Sequence, residues 1–414
     1  MATTNYYVDS VNGNDSNDGE SPTPDGMGGG PWATIERAFG DPSMGQGISR
    51  DTANGDQIHI SGSHTISGLS GMGEAIDISD NYGNPTTEAP LVLRGYGSTP
   101  KDGTRAVLDG GDGNYSLFGP TSADNVWFID LELKDTGSAK ILQLDAEVIF
   151  VNCKLSGTSS TGLDLGWANT VSNCHFTDIG SNAIVMGGYG TGYVFMCEFD
   201  NDSAANDMTY AIKHDSDSSH WIGYTVLALI DRCIMDLDGT SNGINLQSGH
   251  TDTGLVSEPL IILNCSIYTS GTGNYGITGN NNQDIVCLNN AIEGFGNTGF
   301  RLRSGWVIHH GGNVGHDNVD NFAVDGDVIF SWGTDEDAPG GSPFTDASTN
   351  DWSASDVGNV EAGSEPTPIV GGPAALSHGQ GLSKGAAQRT PSVTTTTYHG
   401  VSQGLHTIET GITT

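Results

Sequence analysis

The residues best suited to chemistry stand in six short segments of one type, GLDLG, AIVMG, AIKHD, GINLQ, GITGN and GFRLR, in which apolar and other residues alternate. Aligned, these segments put Asp164, Val185, Lys213, Asn245, Thr278 and Arg301 at one position. Two residues later come Gly166, Gly187, Asp215, Gln247, Asn280 and Arg303. The chain has only 14 Lys and Arg against 50 Asp and Glu, so three basic residues on one face stand out. Lys213, Arg301 and Arg303, interleaved with Asp215, Asn245, Gln247 and Asn280, suit a groove for an uncharged or acidic glycan. Lys213 or Arg301 is also the residue type that β-elimination on a uronate polymer needs. A base must remove the proton beside the carboxylate, and a cation or hydrogen bonds must hold the enolate. Ordinary solvated positions on a sheet face would read the same way.

A second set comes from another column, Glu132, Lys154, His175, Glu198, Ile234 and Ser266. On consecutive turns, His175 could act as a general base oriented by Glu198, with Lys154 on its other side. Alternating charges that merely stabilise a sheet face give the same pattern. A glycoside hydrolase needs two carboxyl groups about 5 to 9.5 Å apart across the bond, and no such pair stands out in the alignment. His214 takes the inward slot of Leu165, Met186 and Leu246 and reads as a core histidine. The run NGNDSNDG offers oxygen ligands for Ca2+, yet lacks the spacing of an EF-hand loop and reads first as turn chemistry. No metal ligand set and no cofactor is expected, with Ca2+ as the one alternative.

What must position these residues is a repeat. The segments NVWFIDLEL, EVIFVNCKL, NTVSNCHF, GYVFMCEF, LALIDRCIM, LIILNCSI and IVCLNNAI share a central position, filled by Leu131, Cys153, Cys174, Cys197, Cys233, Cys265 and Asn290. The spacings are 22, 21, 23, 36, 32 and 25 residues, the periods of a solenoid. The glycan-face segments follow each time, so two strands per turn recur in order. In-register stacking of successive turns makes columns. Leu163, Ile184, Ile212, Ile244, Ile277 and Phe300 form one inward column; Leu155, Phe176, Phe199, Met235, Ile267 and Ile292 form another. Asn152, Asn173, Asn264 and Asn289, just before the central position, are tolerant of left-handed backbone and would turn the chain between faces. The expected fold is all-β, a right-handed single-stranded parallel β-helix.

Five of the six cysteines share that central position, which predicts buried, reduced thiols packed as small hydrophobes. No C-x-x-C pair occurs, and one stacked column does not make a tetrahedral metal site. The larger spacings place projecting loops at 200–222 and 248–257.

The ends depart from the repeat. Residues 1–55 are expected to hold a strand and a capping helix, with Trp32, Ile35 and Phe39 on one helical face, and GDQIHISGSHTISG to be the first turn of a β-helix over 56–335. An irregular C-terminal cap region spans 336–390. The Thr-rich 391–414 is an assembly or attachment segment, or a solvated terminal extension.

The formal charge of −36 and sequence pI near 4.2 repel nucleic acid and anionic membranes, so neither is an expected partner. No segment reaches transmembrane length, and the first residues carry no basic-then-apolar leader. Cytoplasmic synthesis is the expectation.

The arrangement YYVDSVNGNDSNDG, PWATIERAF and GDQIHI, followed by turns of the VNCKLSGTSSTGLDL type, resembles the pectate-lyase-like superfamily of right-handed β-helix proteins. GAAQR at 385–389 is similar to a GAxQ-like ending common there. The similarity covers about residues 5 to 390 as architecture, and its motifs specify fold well and activity poorly. The resemblance implies a lyase with a calcium site built from outward carboxylates on neighbouring turns, whereas the glycan face has only Asp164 and Asp215, two turns apart.

Two functional readings follow. In the first, the chain is a virion surface protein, a phage spike, fibre or capsid decoration, forming a rigid projection that binds host glycans. Similarity to phage tailspikes implies a homotrimer with other virion proteins as partners. In the alternative, it is a secreted, extracellular polysaccharide lyase or glycoside hydrolase. Catalytic candidates are then Lys213, Asp215, Arg301, His175 and Glu198; the glycan-binding set is Lys213, Asp215, Asn245, Gln247, Asn280, Arg301 and Arg303.

Overall fold

A computed structural model describes residues 4–39, 56–66, 74–76, 90–118, 125–144, 147–166, 169–187, 192–201, 208–216, 228–248, 260–281, 285–331, 335–337, 344–346 and 351–354. The chain winds as a right-handed parallel β-helix. One full turn consists of strands Val148–Val151, Lys154–Thr158 and Leu163–Leu165. The next turn repeats it with Asn169–Ser172, His175–Ile179 and Asn182–Gly187. Each strand pairs in parallel with its counterpart one turn on, as Val148 with Asn169, Lys154 with His175 and Leu163 with Ile184 show.

A turn therefore has three strands where the sequence suggested two. The long apolar segments of the repeat each break at a corner into a first and a second strand, and the six aligned short segments supply the third. The corner residue is left-handed in turn after turn: Asp130, Asn152, Asn173, Met196, Arg232, Asn264 and Asn289 have φ between 50° and 58°. Asparagine was expected at four of these places and is there. Its amide also links corners, since Asn152 Nδ2 donates to Asp130 Oδ1 at 2.7 Å and Asn173 Nδ2 to Asn152 Oδ1 at 3.3 Å. These bonds help offset the cost of a conformation that L-residues avoid.

The interior is filled by the columns that the periodicity laid out. Leu163, Ile184, Ile212, Ile244, Ile277 and Phe300 are consecutive register partners, as are Leu155, Phe176, Phe199, Met235, Ile267 and Ile292, and all are fully buried. Like stacks on like: Phe128 lies 4.8 Å from Phe150 at 5°, and Phe176 4.9 Å from Phe199 at 8°. Ring pairs of this kind add roughly 0.5–1.5 kcal/mol to what their burial contributes.

All six cysteines are buried and free. The thiols of the five at the corner donate to main-chain carbonyls, Cys153 to Phe128 O at 3.4 Å and Cys197 to Val171 O at 3.5 Å, whereas Cys287, within Ile285–Leu288, faces Asn313 Oδ1 at 3.9 Å. A small apolar side chain with a weak donor fits a site that is narrow and faces a carbonyl.

At the N-terminal end, Asn5–Asp9 pairs in parallel with Gln57–Ser61, so the opening strand itself starts the stack, ahead of the turn that the sequence marked as first. Ile35–Phe39 is a short helix with Ile35, Ala38 and Phe39 buried. Trp32 is outside it. It makes a parallel bridge with Val8, and its indole Nε1 donates to Asn17 O at 2.8 Å. The i, i+3, i+7 spacing read as one helical face is thus a buried indole followed by a single helical turn and a half. The expected loops at 200–222 and 248–257, GAAQR at 385–389 and the Thr-rich tail lie wholly or mostly outside the described residues.

Candidate functional site: the outer face of the third strands

The third strands of successive turns build one outer face. Register places Gln143, Asp164, Val185, Lys213, Asn245, Thr278, Arg301 and Ala323 side by side in a single column. Gly187, Asp215, Gln247, Asn280, Arg303 and Asp325 form the parallel column two residues on. Both columns follow the order that the alignment of the repeat gave. With strands about 4.8 Å apart, Lys213 and Arg301 are separated by three steps, roughly 14 Å. They therefore face different parts of any ligand lying along the helix.

The column is uneven in depth. Asn245 is 3% exposed and Thr278 7% exposed, while Lys213 and Arg301 on either side are half-buried and Arg303 is exposed. The middle of the face is thus recessed between cations. Two supports hold Arg301. Its guanidinium lies 4.9 Å over the Tyr275 ring, a cation–π contact. Tyr275 is fixed in turn by Asn242, whose Oδ1 accepts the backbone N–H groups of Asn274 and Tyr275 at 2.8 and 3.0 Å. Behind Lys213, His214 points inward between Met186 and Leu246 and is 2% exposed, the core position expected of it.

Toward the N-terminal end the face changes character. Lys140 ion-pairs with Asp164 and hydrogen-bonds Gln143 Oε1 at 3.3 Å. Asp164 is therefore held by a cation of its own chain, and Asp215 lies two registers away. Among the described residues no three His, Cys, Asp or Glu side chains gather in a metal-ligating group.

The carboxylates of NGNDSNDG are engaged with their own loop. Asp15 Oδ1 accepts from the N–H groups of Ala33 and Thr34 at 2.9 and 3.0 Å, and Asp18 Oδ1 from Glu20 and Gly30 at 3.0 and 3.2 Å. This is turn chemistry holding the helix start against the first strand.

On the outer face of the second strands, Lys154, His175 and Glu198 are register neighbours as expected. Their pairing runs otherwise. Lys154 Nζ sits 3.2 Å from Glu132 Oε1, and His175 Nε2 sits 3.9 Å from Asp200 Oδ2. Lys134 bridges Asp109 at 3.0 Å and Asp135 at 2.8 Å on the same face, and these carboxylates push its ammonium pKa up. The geometry matches a charge-alternating sheet surface.

Sequence reasoning missed Lys140, Gln143 and Tyr275. Lys140 and Gln143 belong to the turn of Leu142–Leu144, one turn before the first of the aligned short segments. Tyr275 reaches Arg301 from the neighbouring turn, a contact that no periodicity announces.

No family model and no curated protein matches the chain. Among solved structures, one described as the crystal structure of pectate lyase Pel9A is similar over 93% of this chain and 96% of that one, with a TM-score of 0.55 and 16% identity. A rhamnogalacturonan lyase is similar over 70% of this chain and 82% of that one, with a TM-score of 0.40 and 13% identity. The first likeness is one of fold: this chain is a pectate-lyase-like parallel β-helix.

Proposed function

We propose that the chain is a polysaccharide lyase that takes an acidic glycan along the outer face of its third strands. The observation that carries this reading is the single outer column in which Lys213 and Arg301 flank the recessed Asn245 and Thr278. A polymer with regularly spaced carboxylates meets an amine at one end of such a recess, a guanidinium at the other and hydrogen-bonding side chains between them. In this reading Lys213, as its neutral amine, is the base that removes the proton beside a uronate carboxylate; the C–H electrons form a carbon–carbon double bond as the glycosidic C–O bond at the next carbon breaks, and the departing oxygen takes a proton from water. A cation or hydrogen bonds must hold the enolate charge, and Asn245, next to Lys213 in the column, is placed to donate one. Arg301, about three strand spacings away, instead anchors a separate part of the polymer. The similarity to a protein described as a pectate lyase supports lyase chemistry over the virion-projection reading.

The test is incubation of the purified protein with polygalacturonate, alginate and a neutral glycan, with and without added Ca2+, following the ultraviolet absorbance of the unsaturated product. Product from a uronate polymer that is lost in Lys213→Ala, while glycan retention in affinity electrophoresis persists, supports the proposal. Retention without product, in every buffer and on every polymer, returns the face to a binding surface.

A further inference from the structure

A second polar group lies on the outside of the helix, far from the glycan face, on the first strands of its opening turns. His59 on Gln57–Ser61 and Arg94 on Leu91–Tyr96 are direct register partners, and Ser61 opposes Tyr96. His59 is 1% exposed and Tyr96 3% exposed. Tyr7 from the opening strand stacks on the His59 ring, with centroids 5.1 Å apart at 17°, and Tyr96 stands edge-on to both rings at 6.3 and 6.4 Å. These rings bury His59 and Tyr96, while Arg94 is half-buried.

Three polar atoms of this group are buried and have no hydrogen-bond partner: Arg94 Nε, Tyr96 Oη and His59 Nδ1. One such atom in a native interior is unusual, and three on adjacent side chains point to a shared partner. The charge on Arg94 points the same way, while the carboxylates of Asp9 and Asp102 act on Tyr96. Arg94 is in no ion pair among the described residues, and the charges acting on His59 are the cations Arg94 and Lys101. Burial also works against the Arg94 charge, with Asp130 the carboxylate that opposes the effect. A guanidinium taken partly out of water without a paired anion is destabilising. A water molecule would satisfy the hydrogen bonds and leave the charge.

We propose that Arg94, Tyr96 and His59 hold one desolvated monovalent anion of halide size on the outside of the opening turns. Arg94 Nε–H and Tyr96 O–H donate to it. His59 Nε2 lies 3.2 Å from Asn5 Oδ1. With the Asn5 side-chain amide turned so that its NH2 donates to Nε2, the ring proton sits on Nδ1 and becomes a third donor. Sulfate or phosphate exceeds what three donors between packed rings can surround. The site is independent of the glycan face, and its test does not use glycan.

The experiment pairs diffraction with melting. Crystals of the full chain grown in sodium bromide are expected to show an anomalous peak within hydrogen-bond range of Arg94 Nε and Tyr96 Oη. In solution, the melting temperature of the wild type is expected to rise and saturate with bromide or chloride, relative to sodium gluconate at equal ionic strength. Arg94→Met and Tyr96→Phe should each lose that halide-specific rise; Tyr96→Phe keeps the ring and serves if Arg94→Met fails to fold. A water without anomalous signal at this place, or an equal halide effect in the wild type and Tyr96→Phe, overturns the proposal.

Discussion

Asn313 Oδ1 accepts the backbone N–H of Asn290 at 3.0 Å, and Asn290 Oδ1 accepts that of Cys265 at 2.9 Å. Where the column of thiols ends, a ladder of amides takes over the same corner. Asp335 Oδ1 continues it, accepting from both the backbone N–H and Nδ2 of Asn313 at 3.0 Å. Asn290 and Asn313 are fully buried, so each rung depends on the next for its donors and acceptors. Asn313→Ala is expected to strand the Asn290 N–H and the Cys287 carbonyl, which Asn313 Nδ2 now reaches at 2.9 Å. At roughly 1–3 kcal/mol for each buried group left unpaired, the loss is about 3 kcal/mol. Urea unfolding of the variant against the wild type measures it, and Asn313→Asp, which puts an oxygen in place of the Nδ2 donor against the Asp335 carboxylate and the Cys287 carbonyl, should lose at least as much.

Gly95 stands on Leu91–Tyr96 where the chain of a later turn comes closest. A Cβ there would lie 1.8 Å from Asp130 O and 2.6 Å from Ala106 N, both main-chain atoms that cannot swing aside. Gly95→Ala is therefore expected to destabilise by about 3 kcal/mol or more. Gly103→Ala is the control, because nothing lies within 4 Å of a Cβ there and only its positive φ of 77° opposes the change. That substitution should cost about 1 kcal/mol. Thermal melts of the two variants compare these costs directly.

What the sequence shows of this protein follows from how local each feature is. In-register stacking repeats one residue type down a column, so the inward columns through Leu163 and Leu155 and the outward column through Lys213 and Arg301 were all readable from spacing alone. The corner was readable in part. Asn152 and Asn264 announce left-handed backbone, whereas Met196 and Arg232 take the same φ because their turn requires it. Hence the break between first and second strands was hidden within continuous apolar runs. Contacts between turns of unequal length were not legible at all. Lys140 reaches Asp164 and Tyr275 lies under Arg301 through pairings that depend on the three-dimensional register, and the unpartnered atoms of His59, Arg94 and Tyr96 appear only once three strands lie side by side.

Asp102 organises the bend after Leu91–Tyr96. Its carboxylate accepts from the backbone N–H groups of Gly97, Ser98, Thr99 and Thr104 at 2.8 to 3.2 Å. Slight burial pushes its pKa up, but these bonds outweigh that effect and hold it well below the usual carboxylate range. A depressed folded-state pKa stabilises above the unfolded value near 3.8, and the contribution is lost as pH falls through the folded value. Asp102→Asn should therefore weaken the bend at neutral pH and flatten the acid limb of the stability profile below pH of about 4. Hydrogen exchange of the amides at Gly97, Ser98 and Thr104 reads the first effect, and melting between neutral and acid pH the second.

The thiol column gives the last prediction. Burial pushes the Cys153, Cys197, Cys265 and Cys287 thiols well up, away from the reactive thiolate. Neighbouring members of the column sit at the corners just before in-register parallel strands about 4.8 Å apart, as in Cys153 before Lys154–Thr158 and Cys174 before His175–Ile179. With side chains pointing the same way, their Cβ atoms stand at a similar separation, beyond the roughly 3.5–4.5 Å that a disulfide spans. Oxidation of adjacent rungs would have to pull two turns together through a packed core. The native protein is thus expected to resist both alkylation and air oxidation, and to yield six reactive thiols once unfolded in guanidinium. Mass spectrometry after iodoacetamide treatment, native and denatured, decides it. Native labelling at Cys174 or Cys197, in the middle of the column, would show that the turns open locally on the timescale of the reagent and that the column is not a sealed part of the core.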